Sequence, residues 1–288
     1  MIPAAFNYET PTTLDEALTL LAANPDEAKI LAGGHSLLPA MKLRLAQPGM
    51  LVDIGRIKDL AYIREEGDQI AIGAMTTHYE IESSVLLQKI CPLLPECASH
   101  IGDVQVRNKG TIGGSVAHSD PAGDWPAASL ALNAEMVAVG ANGERTIAAS
   151  EFFVDLLTTA LAPGEILREI RIAKPNGRFG HSYQKVRHPA SGFAVVGVAV
   201  SLVLGAGGSC ESASIGVTGV ASKAYRAVAV ETALRGEQMN DQTIAAAAAH
   251  ATDGVDANSD LYATEDYRRH LATVYTRRAI QSAVTGAR

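Results

Sequence analysis

The chain has 288 residues, of which 47% are hydrophobic and 19% charged, and its formal net charge at pH 7 is −7. This composition is typical of a folded globular protein and excludes an intrinsically disordered one. The acidic balance and the 5% aromatic content also argue against a nucleic-acid-binding protein, which needs basic patches or stacking side chains. The three cysteines, Cys91, Cys97 and Cys210, show no metal-ligand spacing, so we expect reduced thiols in a cytoplasmic protein.

The first 55 residues alternate helix and strand patterns. Thr12-Thr13, followed by acidic residues and spaced leucines, predicts a capped amphipathic helix that Asn24-Pro25 ends. Residues 28–32 then predict a buried strand, 36–45 a second helix and 50–54 another strand. We therefore expect a small α/β unit at the beginning of the chain.

The middle of the chain mixes short strands and helices. In chain order, the patterns predict strands over 60–64 and 69–72, helices from Thr77 and over 92–100 and 127–132, a hairpin of 135–139 and 145–148, and a closing strand over 165–172. The hairpin prediction rests on Asn142-Gly143, a favoured turn dipeptide.

Lys174-Pro175-Asn176-Gly177 predicts the main domain boundary, because Pro and Gly interrupt regular structure there. Three strand patterns follow it, over 179–186, 194–204 and 210–217, and then helical patterns over 224–234, 243–250 and 265–284. Strands followed by helices indicate a separate α+β domain.

Two glycine-rich motifs lie about 80 residues apart: Ala32-Gly33-Gly34-His35-Ser36 and Thr111-Ile112-Gly113-Gly114-Ser115. Glycine lets the backbone approach a ligand closely, and successive free N–H groups form anion-binding concavities. Neither motif fits the Rossmann or P-loop glycine pattern, and a single Gly-Gly step is more often only a turn. Two such turns in one domain predict a clamp for one extended diphosphate, and therefore a dinucleotide cofactor.

Other polar residues near the motifs are open to more than one interpretation. Asp124 is suited to accept hydrogen bonds from sugar hydroxyls, although turns and caps use Asp more often. The cluster Gln105-Val106-Arg107-Asn108-Lys109 either orients the second motif, meets a phosphate or is solvated, and Lys185 faces either the ligand or solvent. His35 and His118 lack a second ligand at fixed spacing, so we expect no metal site.

Longer segments resemble the FAD-binding medium subunits of the molybdenum hydroxylases, the xanthine dehydrogenase family, and most of all those of aerobic carbon monoxide dehydrogenases. The segments are 29–37, 71–77, 110–115 and 120–124, and the resemblance extends over essentially the whole chain. It implies an α+β fold. An FAD-binding domain of the vanillyl-alcohol-oxidase/PCMH type (1–177, with subdomains of about 1–55 and 56–177) precedes a C-terminal domain (178–288) that covers the flavin with a three-stranded antiparallel sheet and helices.

The resemblance also implies which residues contact FAD, and no metal ligand or catalytic side chain is expected beside them. The implied contacts are Lys29, Leu31, Ala32, Gly33, Gly34, His35, Ser36 and Leu37 around the first motif, Ile101 on the adenine, Thr111, Ile112, Gly113, Gly114 and Ser115 on the diphosphate, Asp124 on the ribityl or ribose hydroxyls, and Leu167, Lys185 and Phe193 at the flavin end. Two positions depart from the family pattern. Ser115 replaces Asn at the end of the second motif, and Phe193 replaces a Tyr beside the flavin.

The resemblance implies an electron-transfer subunit that works with two partners. A large molybdenum-cofactor subunit would oxidise the substrate, a small subunit with two [2Fe–2S] clusters would deliver the electrons, and an acceptor such as a quinone would receive them from FAD. A dimer of heterotrimers is the expected assembly, in the cytoplasm, with peripheral attachment at the inner face of the membrane left open. The alternatives are a medium subunit of a xanthine, nicotine or aldehyde hydroxylase, a stand-alone FAD-dependent reductase or oxidase, and an interaction subunit without flavin.

Overall fold

A computed structural model describes residues 1–287. The strands are β1 (Asn7–Glu9), β2 (Ala28–Leu31), β3 (Met50–Asp53), β4 (Ile63–Glu66), β5 (Gln69–Gly73), β6 (Glu135–Gly140), β7 (Gly143–Ala148), β8 (Phe153–Asp155), β9 (Thr158–Thr159), β10 (Ile166–Ala173), β11 (Arg178–Arg187), β12 (Ala194–Leu204), β13 (Cys210–Thr218) and β14 (Tyr225–Arg226). The helices are α1 (Leu14–Ala23), α2 (Leu37–Lys42), α3 (His78–Glu82), α4 (Val85–Ile90), α5 (Leu93–Ser99), α6 (Val104–Arg107), α7 (Ile112–His118), α8 (Asp124–Ala131), α9 (Ala149–Phe152), α10 (Val228–Leu234), α11 (Asp241–Ala248) and α12 (Glu265–Gly286).

The first sheet confirms the α/β unit at the beginning of the chain. Its strands are all parallel, in the order β1-β3-β2. A capping box starts α1, in which Thr13 and Glu16 each accept a backbone N–H from the other. No local pattern predicted β1, because it has three residues and all are exposed. α2 is shorter than predicted and ends at Lys42, just before Arg44 takes a left-handed backbone with φ 61°.

The second sheet has five antiparallel strands in the order β4-β5-β10-β6-β7. β6 and β7 form the predicted hairpin at Gly143. β10 ends this part of the chain but lies in the middle of the sheet, between β5 and β6. Buried residues of α3, α4, α5, α7 and α8 share one apolar core with β5, β6 and β10, and Trp125 of α8 is fully buried in it. α8 also packs against β12 and β13.

The third sheet is antiparallel in the order β11-β12-β13-β14. Its three long strands are those that the sequence predicts. The short β14 occupies the beginning of the segment for which we predicted a helix, so α10 starts only at Val228. α12 packs across β11 and β12, and its apolar residues share a core with the sheet. Among the helices formed by residues 1–287, none combines the length and the apolar character that crossing a membrane requires.

Candidate dinucleotide-binding site

The two glycine motifs are in direct contact. A Cβ built on Gly33 would lie 2.3 Å from the carbonyl oxygen of Lys109 and 2.7 Å from Cα of Gly110. A Cβ built on Gly114 would lie 3.2 Å from Cβ of Ala32. Because side chains do not fit at such distances from a backbone, glycine at position 33 is what allows the first motif to reach the second.

The first motif presents unused backbone donors. It follows β2 and leads into α2, with Gly34 at φ 75°, a conformation that glycine adopts without strain. Within residues 1–287, the N–H groups of Gly33, Gly34, His35, Ser36 and Leu37 donate to no acceptor, and the Ser36 side chain makes no capping hydrogen bond. The His35 ring is held by Nδ1, which lies 3.0 Å from the carbonyl oxygen of Gly33. This motif therefore has the free N–H groups that an anion-binding concavity requires.

The second motif is not the turn that we predicted. It is the N-cap and first turn of α7, and its N–H groups are bonded within the protein. Those of Ile112, Gly113 and Gly114 donate to Thr76 O at 3.0 Å, Ala74 O at 2.9 Å and Thr111 Oγ1 at 3.1 Å. The prediction failed because Thr111 is an N-cap residue, and glycine at the following positions serves close packing rather than a reversal of the chain. The half-buried Ser115 hydroxyl makes no hydrogen bond within residues 1–287 and is free to meet a ligand.

The basic cluster before the second motif contributes mainly one structural residue. Arg107 Nε lies 2.7 Å from Glu82 Oε2, and its Nη1 donates to the carbonyl oxygen of Ile101 at 3.1 Å. These bonds connect α3 to the segment that contains α6. Arg107 therefore orients the backbone between Ile101 and the second motif, while Lys109 is exposed.

Asp124, the first residue of α8, forms a buried cluster with two residues of β11. Its carboxylate accepts from Tyr183 Oη at 2.5 Å and pairs with Lys185 Nζ at 2.8 Å. Lys185 Nζ also donates to the carbonyl oxygen of His100 at 3.0 Å. Burial raises the pKa of Asp124, and the Lys185 ammonium opposes that rise. Since the side chain of Lys185 is only 1% exposed, it faces this cluster and not solvent.

The C-terminal sheet holds the loop that precedes Asp124. Thr218 Oγ1 lies 2.7 Å from the carbonyl oxygen of Pro121 and 2.9 Å from that of Gly123. Ala194 N donates to Ala122 O at 3.2 Å. The position of Asp124 thus depends on β12 and β13 as well as on its own helix.

The segments that contain Ile101 and Phe193 meet beside the Asp124 cluster. Arg187 Nη2 donates to His100 O at 3.1 Å, and a Cβ built on Gly192 would lie 3.8 Å from Cα of Gly102. These contacts bring the loop between β11 and β12 against the end of α5. Phe193, at the end of that loop, is 43% exposed.

The remaining residues predicted to contact the ligand differ in how exposed their side chains are. Lys29 is an exposed cation on β2, next to the first motif. The side chains of Leu31, Ile112 and Leu167 are buried in the apolar cores. Their exposed fractions are 8%, 1% and 4%, so a ligand at this site would meet mainly their backbone atoms.

Two groups of residues at the site were not predicted from sequence patterns. Tyr183 supports Asp124 and lies two positions before Lys185, so the alternation of side chains along a strand could have revealed it. His78 is buried behind the second motif, where its Nδ1 accepts from Trp125 Nε1 at 3.0 Å. Burial lowers the pKa of His78 to about 3. No local pattern pointed to the His78–Trp125 pair, because its members are 47 residues apart.

Family profiles match both parts of the chain. The profile described as "FAD binding domain in molybdopterin dehydrogenase" matches residues 4–175. The profile described as "CO dehydrogenase flavoprotein C-terminal domain" matches residues 181–283.

Individual relatives resemble the chain over nearly its whole length. The carbon monoxide dehydrogenase medium chain of Hydrogenophaga pseudoflava is 41% identical over 283 residues, which is 98% of each chain. The 6-hydroxypseudooxynicotine dehydrogenase complex subunit alpha of Paenarthrobacter nicotinovorans is 36% identical over 100% of this chain and 97% of its own. A solved structure of carbon monoxide dehydrogenase from H. pseudoflava, which lacks the Mo-pyranopterin moiety of its cofactor, contains a chain that superposes with a TM-score of 0.97 at 42% identity, covering 100% of both chains.

Proposed function

This chain belongs to the family of FAD-binding medium subunits of the molybdenum hydroxylases, and we propose that it serves a carbon monoxide dehydrogenase as its electron-transferring flavoprotein subunit. It is an oxidoreductase subunit with FAD as its cofactor. The observation that supports the carbon monoxide assignment is the similarity of both domains to proteins of that activity. The relative named for 6-hydroxypseudooxynicotine, at 36% identity, makes a different substrate the runner-up.

We propose that the first motif holds the diphosphate of FAD. Its N–H groups from Gly33 to Leu37 donate to no other residue of 1–287. The hydroxyls of Ser36 and Ser115 also make no hydrogen bond within these residues, so they are available to a ligand. Donors of this kind, held in a fixed backbone, suit a doubly charged anion. Exposed Lys29 adds positive charge nearby.

The Asp124 cluster is proposed to hold the sugar and flavin portions. The Asp124 carboxylate has acceptor capacity beyond its bonds to Tyr183 and Lys185, which suits ribityl or ribose hydroxyls. Lys185 Nζ lies 3.0 Å from the carbonyl oxygen of His100, 2.8 Å from Asp124 Oδ1 and 2.9 Å from Asp124 Oδ2, so its three N–H groups all have acceptors. Its proposed part at the flavin end is therefore its positive charge, which would stabilise an anionic reduced flavin. Ile101 is assigned to the adenine, and Leu167 and Phe193 to the flavin end.

The chemistry that bound FAD supplies is the exchange of one or two electrons. We propose that a small partner subunit with [2Fe–2S] clusters delivers these electrons and that a large subunit carries the molybdenum cofactor. The three cysteines of this chain are fewer than the four thiolates of one such cluster, which supports this division of work. A quinone as acceptor, a dimer of heterotrimers and a cytoplasmic location, with or without attachment to the inner membrane face, complete the proposal.

We also propose a division into domains at residue 177. The FAD-binding part, 1–177, would contain subdomains of about 1–55 and 56–177, and 178–288 would be the C-terminal part. The separate apolar cores of the first and third sheets support this division. The two parts meet at the Asp124 cluster, which takes residues from both.

Two measurements test the proposal. The chain is co-expressed with a large molybdenum-cofactor subunit and a small [2Fe–2S] subunit of a carbon monoxide dehydrogenase, and the purified complex is assayed for bound FAD and for reduction of a quinone by carbon monoxide. A Gly33→Val variant should lose FAD, while Gly286→Ala, at an exposed position with open space around it, should keep it. Full FAD content in Gly33→Val would contradict the diphosphate role. A complex that oxidises an N-heterocycle or an aldehyde but not carbon monoxide would contradict the substrate.

A further inference from the structure

The His78 imidazole is fixed in one protonation state and one tautomer. The residue begins α3 and is 4% exposed. Trp125 Nε1–H, which can only donate, points at His78 Nδ1 from 3.0 Å. Because burial lowers the pKa of His78 to about 3, the ring is neutral near pH 7. Its single proton therefore resides on Nε2.

The Nε2–H group has no acceptor among residues 1–287, and it lies where the two glycine motifs meet. A Cβ built on Gly110 would lie 2.7 Å from His78 Nε2. On the first motif, a Cβ built on Gly33 would lie 2.7 Å from Cα of that same Gly110. The backbone of His78 also holds Gly110 in place, since His78 N donates to Gly110 O at 3.0 Å.

Among the described residues, the side-chain nitrogen and oxygen atoms that are both sealed from solvent and unpartnered are Arg268 Nε and Thr276 Oγ1, and His78 Nε2 is not one of them. Its N–H is therefore accessible to a ligand, although the residue as a whole is 4% exposed. Gly110 packs against both the His78 ring and Gly33 of the first motif, whose N–H groups are free. The ring of His35 is also close enough for its charge to lower the pKa of His78. A neutral N–H donor can meet a phosphate oxygen without the cost of burying a cation.

We propose that His78 donates a hydrogen bond through Nε2–H to the diphosphate of bound FAD, and that Trp125 keeps the imidazole in the tautomer that can do so. This inference rests on the proposed FAD site. It adds a side-chain donor from α3 to a cradle otherwise made of backbone groups. Trp125 acts only through His78 and is a positioning residue.

The test compares a variant that keeps the imidazole with one that lacks it, both without the indole, so that the unpaired Nδ1 of the first is the cost common to removing Trp125. Trp125→Phe removes the indole donor and keeps the imidazole, and Trp125→Phe/His78→Phe removes both. FAD is titrated into the flavin-depleted complex, with flavin fluorescence as the readout. We expect the double variant to bind FAD about tenfold more weakly than Trp125→Phe, as the loss of one hydrogen bond to a charged group predicts. His78→Gln, which can both accept from Trp125 and donate, should bind FAD nearly as the wild type does.

Phosphorus NMR of bound FAD separates a direct contact from a structural role. The diphosphate resonances should move in the double variant and stay in place in His78→Gln. Equal FAD affinity of Trp125→Phe and the double variant would overturn the inference, as would unchanged phosphorus resonances. If the wild-type complex binds no FAD, the proposed function itself fails, whereas FAD binding that is insensitive to His78 removes only this inference.

Discussion

The two glycine motifs have nearly the same sequence pattern, but their backbone N–H groups differ in whether they have hydrogen-bond partners within the protein. The first is a loop whose N–H groups donate to nothing within residues 1–287. The second is the start of α7, where the N–H groups of Ile112, Gly113 and Gly114 are all bonded internally. A Gly-Gly-hydroxyl pattern therefore identifies a place where backbone comes close to something, but not whether that partner is a ligand or the protein itself.

The largest difference between the motifs should appear in stability. A Cβ on Gly113 would lie 2.4 Å from Cβ of Ala74 and 2.6 Å from its carbonyl oxygen. Gly113→Ala should therefore lower the free energy of unfolding by about 3 kcal/mol, as overpacking of a core does. Urea denaturation of the chain measures this loss.

Gly33→Ala is the matched variant in the first motif. Its Cβ would meet Lys109 O at 2.3 Å, but the loop can move away without breaking any hydrogen bond of its own N–H groups. We expect a smaller loss of stability than in Gly113→Ala and a complete loss of FAD. Equal unfolding free energies for the two variants would show that both motifs are structural.

Acid should weaken the packing behind the second motif. The pKa of His78 is lowered from 6.5 to about 3, first by burial and then by the charges of His35 and Arg107. Below pH 6.5 the His78 side chain is protonated in the unfolded chain but stays neutral in the folded chain. The free energy of unfolding therefore falls as the pH drops from 6.5 to about 3. From the ordinary 1.36 kcal/mol per pKa unit, the loss at pH 5 is about 2 kcal/mol.

Denaturation of wild type and His78→Gln at pH 7.5 and pH 5 measures this contribution. The glutamine variant should lose less stability than the wild type on acidification, because it has no group to protonate there. The same drop in both proteins would assign the acid sensitivity to other residues, such as the half-buried His100, whose pKa burial also lowers.

Removing a hydroxyl should have a different effect in each motif. Thr111 Oγ1 caps α7, so Thr111→Ala should cost about 1 kcal/mol of stability. Ser36 makes no capping bond, so Ser36→Ala should leave the unfolding free energy unchanged and weaken FAD binding. Thermal melts with and without FAD measure both effects, and a destabilised Ser36→Ala apoprotein would contradict the distinction.

Local sequence patterns predicted most of the fold because they follow from periodicity and caps. The capping box at Thr13, the hairpin at Gly143 and the three long strands of the third sheet were all found in this way. The central place of β10 was not, since pairing between distant strands leaves no local signal. For the same reason the sequence led to Asp124 and Lys185 but not to their mutual ion pair, nor to His78 and Trp125.

Ser115 offers the finest test, because it belongs to the internally bonded motif and yet has an uncommitted side chain. Its hydroxyl makes no hydrogen bond within residues 1–287, so Ser115→Asn should leave stability unchanged. The added amide can supply one more hydrogen bond to FAD, worth about 1 kcal/mol or a roughly fivefold gain in affinity. FAD titrations of Ser115→Asn and of Ser282→Asn, an exposed position on α12, measure this gain against a matched control. Tighter binding only at position 115 would mean that α7 contributes to FAD binding through its side chains, while the first motif contributes through its backbone. Unchanged affinity would leave the second motif a purely structural support.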